Sequence, residues 1–202
     1  MTLDLPERLA SVGGLFFVVL ALASCGESGD REALEKMIHA SIVETGPESC
    51  LKFSTLHFLE STTELRGEAA VIACEESSLD PLMEQPTKAD VSHVDVEGDS
   101  ATALIAVTGS VFDGQKLRYA FVEREDRWKF NQILGFVDLD AERFILRAGR
   151  DGMLRAGSRE EAENIACWIG RMERMSDQAL EELLLGDGRP ESADCIAESG
   201  AV

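Results

Sequence analysis

The chain has 202 residues, 45% of them hydrophobic and 28% charged; these ordinary globular values exclude a disordered chain and leave room for one sizeable domain. A formal net charge of −19 excludes the basic surface that nucleic-acid binding requires and sets the molecule as a whole against anionic headgroups. Attachment to a membrane would therefore need a dedicated device.

Residues 13–23 (GGLFFVVLALA) form an uncharged apolar run, far shorter than the roughly 20 residues that cross a bilayer as a helix, and suited to the h-region of a signal peptide. Ahead of it Arg8 is opposed by Asp4 and Glu7. Leu22-Ala23-Ser24-Cys25 then resembles the lipobox of bacterial lipoproteins: an aliphatic residue, two small ones that fit a narrow peptidase site, and a cysteine that accepts diacylglycerol before cleavage ahead of it. The resemblance implies that residues 1–24 are a signal peptide. It further implies that Cys25 is the lipidated first residue of an extracytoplasmic protein tied to the cell membrane, with residues 25–30 as a polar tether.

Asp30 is placed to cap a helix running to about Glu44, with Leu34, Met37, Ile38 and Ile42 at helical spacing and Gly46-Pro47 as the stop. Residues 48–60 and 66–76 read as two further helices joined by the polar Ser61-Thr62-Thr63-Glu64, an αα-hairpin. Beyond Cys25 four cysteines remain: Cys50, Cys74, Cys167 and Cys195. In an oxidising compartment they can pair in three ways. Cys50 and Cys74 lie equally far on either side of Thr62, so the hairpin brings them together at its open end and leaves Cys167 for Cys195. Each bridge would close a loop of about 25 to 29 residues, for which chain entropy gives roughly 3 kcal/mol. No two of these cysteines have the short spacing of a zinc knuckle, so no metal is expected.

After Pro81 and Pro86 the period changes from helical to alternating. Val94 and Val96 alternate with His93 and Asp95; Ala101, Ala103, Ile105 and Val107 follow, then Leu117, Tyr119 and Phe121, then Trp128, Phe130, Gln132 and Leu134. Short polar or Gly-containing turns separate them (97–100, 112–115, 124–127), which predicts an antiparallel meander of four strands with one apolar face covered by the preceding helices. Beyond it Asp138 is placed to cap a helix through Arg147, Ser158-Arg159-Glu160-Glu161 has the form of a capping box, and residues 176–185 form a last helix ending at Gly186. Ile165, Trp168, Ile169 and Met172 make an apolar stripe suited to packing on neighbours, and the tail after Ala197 is expected to fray. The whole reads as an α+β fold: N-terminal helices on a curved antiparallel sheet over residues 31–137, then a small C-terminal helical segment over 138–202.

This order of elements resembles the nuclear transport factor 2-like superfamily, which includes ketosteroid isomerases and many small bacterial lipoproteins. The likeness rests on Cys50-Leu51-Lys52-Phe53-Ser54-Thr55, Phe58-Leu59, Cys74-Glu75, the Val94–Ala101 segment and Arg127-Trp128-Lys129-Phe130, which are similar to secreted actinobacterial members. It implies a cone-like sheet around a pocket. Enzymes of the group use carboxylates, Tyr and His as acid and base, and none of His39, His57, His93 or Tyr119 aligns with a catalytic pattern; His57 and Tyr119 are the weak candidates.

Gly-x-Ser-x-Gly, His-Glu-x-x-His and phosphate-loop motifs are absent. The expected function is a non-enzymatic module for a small apolar ligand or an envelope partner, without cofactor; the alternative is an isomerase- or dehydratase-like enzyme. Five arginines between residues 143 and 159 (Arg143, Arg147, Arg150, Arg155, Arg159) face one acid there, Asp151. Such a segment either meets anionic lipid or an acidic partner, or neutralises neighbouring acids, for which residues 160–202 offer ample partners.

Overall fold

A computed structural model describes residues 24–79, 85–185 and 195. The expected signal peptide, the stop at Gly186 and the tail after Ala197 lie outside them. Helix α1 (Ser24–Val43) starts before Asp30, so the residues read as a tether are helical and Asp30 lies inside the helix rather than capping it. The expected stripe does the packing: Leu34 and Ile38 are fully buried, with Met37 and Ile42 beside them.

The segment read as one helix over 48–60 is two, α2 (Ser49–Phe53) and α3 (Leu56–Thr63). The break at Ser54-Thr55 is made by the sheet. Ser54 pairs as an isolated bridge with Phe130, the Thr55 N–H donates to the Phe130 carbonyl at 2.9 Å, and the Lys129 ammonium donates to the Leu51 carbonyl at 2.8 Å. Thr55 then caps α3, its hydroxyl accepting from the Phe58 N–H at 3.1 Å while donating to Asn131 Oδ1 at 3.1 Å. Helix α4 (Glu68–Leu79) completes the hairpin, and the Cys50–Cys74 disulfide closes its open end with Cα atoms 6.1 Å apart.

Strands β1 (Lys88–Glu97), β2 (Ser100–Thr108), β3 (Lys116–Arg124) and β4 (Arg127–Val137) form an antiparallel meander in the order β1-β2-β3-β4. The sheet is open; β1 and β4 are its edges, so the closed form of a cone is not reached among the described residues. Simple alternation holds on β2 and β3 and fails on the edges. On β1 the register slips between Ser92 and Asp95, where His93 takes φ 50°, so the inward set changes from Ala89 and Val91 to Val94 and Val96. Strand β4 slips twice. Phe130 faces Phe121, but Gln132 faces Ala120 and Ile133, not Leu134, faces Tyr119. The expected Gln132/Leu134 phase is thereby overturned, and Leu134 stands exposed. Bulges of this kind bend a strand and increase its local twist.

Helix α5 (Ala141–Arg155) is capped by Asp140, whose carboxylate accepts from the Arg143 N–H at 3.0 Å. Asp138, the expected cap, instead takes φ 58° at the exit from β4. Ser158 caps α6 (Arg159–Met172) as the capping box requires, accepting from the Glu161 N–H, while the Glu161 carboxylate reaches back to the Gly157 N–H at 2.6 Å. Helix α7 (Asp177–Leu184) is capped by Ser176. Helices α5 and α6 approach closely because Gly149 and Gly152 lie against Ile169 and Ile165; a Cβ on Gly152 would come to 3.0 Å from Ile165 Cγ2. The Cys167–Cys195 disulfide ties α6 to the chain beyond α7, with Cα atoms 5.9 Å apart.

Phe144, Ile145 and Leu180 form the core of this helical layer. It is joined to the sheet by Gln115, fully buried in the turn between β2 and β3: its side-chain amide donates to the Asp140 carbonyl at 2.9 Å and its Oε1 accepts from the Asp140 N–H at 3.0 Å.

Candidate functional site

A cavity of about 270 Å³ lies between the helices and the apolar face of the sheet. Helix α1 supplies Ile38, Ser41 and Ile42, α2 supplies Cys50 and Phe53, and the disulfide partner Cys74 comes from α4. The sheet contributes Ile105 and Val107 from β2, Tyr119 from β3 and Phe130 from β4, with Gln85 and Pro86 also at the wall. The lining follows from the fold. Helical spacing aims Ile38 and Ile42 at the sheet, and the break at Ser54 turns α3 so that Phe58 enters from one side.

Phe130 is the aromatic centre, with ring centroids 5.6 Å from Phe58, 5.4 Å from Tyr119 in an edge-on arrangement and 4.9 Å from Phe121. The polar groups are few and neutral. The Ser41 and Ser49 hydroxyls donate to the Ile38 and Gly46 carbonyls at 2.7 and 2.6 Å, which leaves them only lone pairs to offer. The Tyr119 hydroxyl has no hydrogen-bond partner among the described residues, and burial pushes its pKa up to about 12. It is a neutral donor at physiological pH. Among the described residues no carboxylate, imidazole, ammonium or guanidinium lines it.

Of the two candidate residues from the sequence, Tyr119 lines this cavity and His57 does not. His57 is exposed on α3 and borders a second cleft of about 480 Å³, with Glu64, Gln132, Leu134 and the end of α7. One residue of helix separates it from Phe58, which turns it about 100° away from the inner cavity. His39 and His93 are exposed as well. The pocket aromatics Phe53, Phe58 and Phe130 were not singled out by the sequence as site residues, although Phe53, Phe58 and Phe130 all fall in the stretches that carry the family resemblance.

Among the described residues the arginine segment meets acids on both sides of it in the chain: Arg143 and Arg147 engage Asp113 in the β2–β3 turn, Arg150 engages Asp151 at 2.9 Å, and Arg159 meets Glu163 at 2.7 Å. The Arg155 side chain donates to the Asp151 carbonyl at 3.0 Å. Among the described residues no group of three or more His, Cys, Asp or Glu is arranged to hold a metal, and no helix is long and apolar enough to cross a membrane. Comparison with protein-family models, with curated proteins and with solved structures gives no match.

Proposed function

We propose that this chain is an extracytoplasmic lipoprotein, anchored to the cell membrane through Cys25, whose α+β domain binds a small, uncharged, mainly apolar ligand between its helices and sheet. The observation that carries the reading is the chemistry of the 270 Å³ cavity: aromatic and aliphatic walls, a few neutral polar groups with the Tyr119 hydroxyl among them, and, among the described residues, no charged group. Such a site gives affinity through apolar burial and orientation through a small number of neutral hydrogen-bonding groups. An acid/base isomerase or dehydratase would require a base in reach of the substrate, and none stands among the described lining residues. The lipobox-like residues and the pairing of the four remaining cysteines both favour an oxidising, extracytoplasmic setting.

The ligand test is organic extraction and mass spectrometry of protein purified from native membranes, beside a Val107→Trp variant that fills the cavity and a Val43→Trp control on the exposed end of α1. One compound should accompany the parent and the control and be missing from the filled variant. Equal recovery from all three would refute the reading. The anchor is tested separately by metabolic labelling with palmitate, which should mark the parent and not Cys25→Ser.

A further inference from the structure

The second cleft, of about 480 Å³, opens between α3, β4 and α7 and shares no described lining residue with the cavity under α1. Its volume is that of small-molecule sites. One wall is apolar: Leu183, Leu184 and Leu185 at the end of α7, and Leu134, which stands 44% exposed on β4. The other wall, from the last turn of α3 and from β4, offers acceptors. The Ser61 and Thr62 hydroxyls donate to the Phe58 carbonyl at 2.8 and 2.9 Å, so only their lone pairs remain for a guest. Glu64 ends α3 in the left-handed conformation, and neither its carboxylate nor the Gln132 amide has a hydrogen-bond or ion-pair partner among the described residues. Arg66, close by in the chain, meets Glu60 instead, at 3.3 Å. The last turns of α3 and α7 both line the cleft, and each helix end carries partial negative charge on carbonyls without an intrahelical donor. His57 is the one basic group among the described lining residues.

We infer that this cleft binds a small amphipathic organic cation, a primary ammonium carried on an apolar body. An ammonium brings three donors and no acceptor to a wall that holds mainly acceptors. The Glu64 carboxylate and the two helix ends supply the opposite charge, and the leucines receive the apolar body. An inorganic cation would gain nothing from the leucines, and among the described residues no three carboxylate, imidazole or thiol groups gather to hold a metal. The site is separate from the neutral cavity under α1, so one chain would carry two compartments of different preference: one for an uncharged guest and one for a positively charged guest.

The test titrates the disulfide-bonded protein with phenylbutylamine, followed by leucine methyl NMR at about pH 8, where free imidazole is neutral. The methyls of Leu134 and of Leu183 to Leu185 should shift, with a dissociation constant of about 1 mM or tighter for a probe of this size. Phenylbutanol and phenylbutyrate, which keep the apolar body and lose the positive charge, should bind at least about threefold more weakly. Glu64→Gln should weaken the amine about three- to fivefold, the worth of a partly solvated ion pair, and leave the alcohol unchanged. Leu134→Lys, a change at an exposed position, should remove amine binding, whereas Leu134→Glu should retain it. Val107→Trp, which fills the other cavity, should change none of this. Equal affinity for amine, alcohol and acid overturns the inference. So does an amine that binds Glu64→Gln as tightly as the parent, or one whose shifts fall on Ile105 and Val107 and vanish in Val107→Trp.

Discussion

Tyr119 is the only tyrosine in the chain, so alkaline titration followed by near-ultraviolet absorbance reads one buried group without interference from another phenol. Burial pushes its pKa from 10.0 to about 12. The folded state therefore holds the neutral phenol tightly while the unfolded chain ionises at its ordinary value. The associated stability is fully present below pH 10 and is lost as pH climbs from 10 to about 12, since the unfolded state gives up its proton first. At 1.36 kcal/mol per pH unit the loss reaches about 2.7 kcal/mol, an upper value for a half-buried ring. Spectrophotometric titration of the folded protein should show no tyrosinate until well above pH 10, and the same titration in denaturant should restore the ordinary midpoint. Chemical denaturation across the window should show declining stability in the parent and a flatter profile in Tyr119→Phe. A folded-state midpoint near pH 10 would mean that the hydroxyl faces bulk water, and the reading of Tyr119 as a neutral donor inside an apolar cavity would fall with it.

Gln115→Met removes both hydrogen bonds to the Asp140 backbone and orphans the Asp140 N–H, so urea denaturation should show a loss of about 2–4 kcal/mol, and hydrogen exchange should quicken in the first turn of α5. Replacing Cys50 and Cys74 together by alanine frees a 24-residue separation and should cost about 3 kcal/mol by chain entropy, read as a lower urea midpoint than that of the oxidised parent. At His93, where φ is 50°, substitution by Val should destabilise by about 1–2 kcal/mol and substitution by Gly should not, because only Gly adopts this backbone conformation without steric cost. Thermal unfolding of the two variants decides it.

The parts of the fold that the sequence discloses are those set by local period and by polymer geometry. Leu34 and Ile38 at helical spacing lie on the sheet as expected, the meander follows its four alternating runs, and the symmetry of Cys50 and Cys74 about Thr62 picks the observed pairing. What the sequence conceals is decided by partners distant along the chain. The cap-forming Ser54-Thr55 is the one local hint of a break within residues 48–60, and these two leave the helix where Phe130 and Asn131 offer them hydrogen bonds from β4. The slip at His93 and the first slip beyond Phe130 have no glycine to mark them, whereas Gly135, at φ 149°, accompanies the second slip on β4; together the two β4 slips overturn the phase of Gln132 and Leu134. The same distance effect divides the candidate site. Tyr119 reads as an inward strand residue and is one, but whether His57 or Phe58 meets it depends on the rotation that the break at Ser54 gives to α3.

The short α2 wall is clamped from several sides at once: covalently through Cys50, at its end by the Ser54–Phe130 bridge, and over Leu51 by Lys129. If the cavity takes a ligand as proposed, so fixed a jamb would select guests by outline, and guests that match should dwell long because leaving would require strand and helix to part.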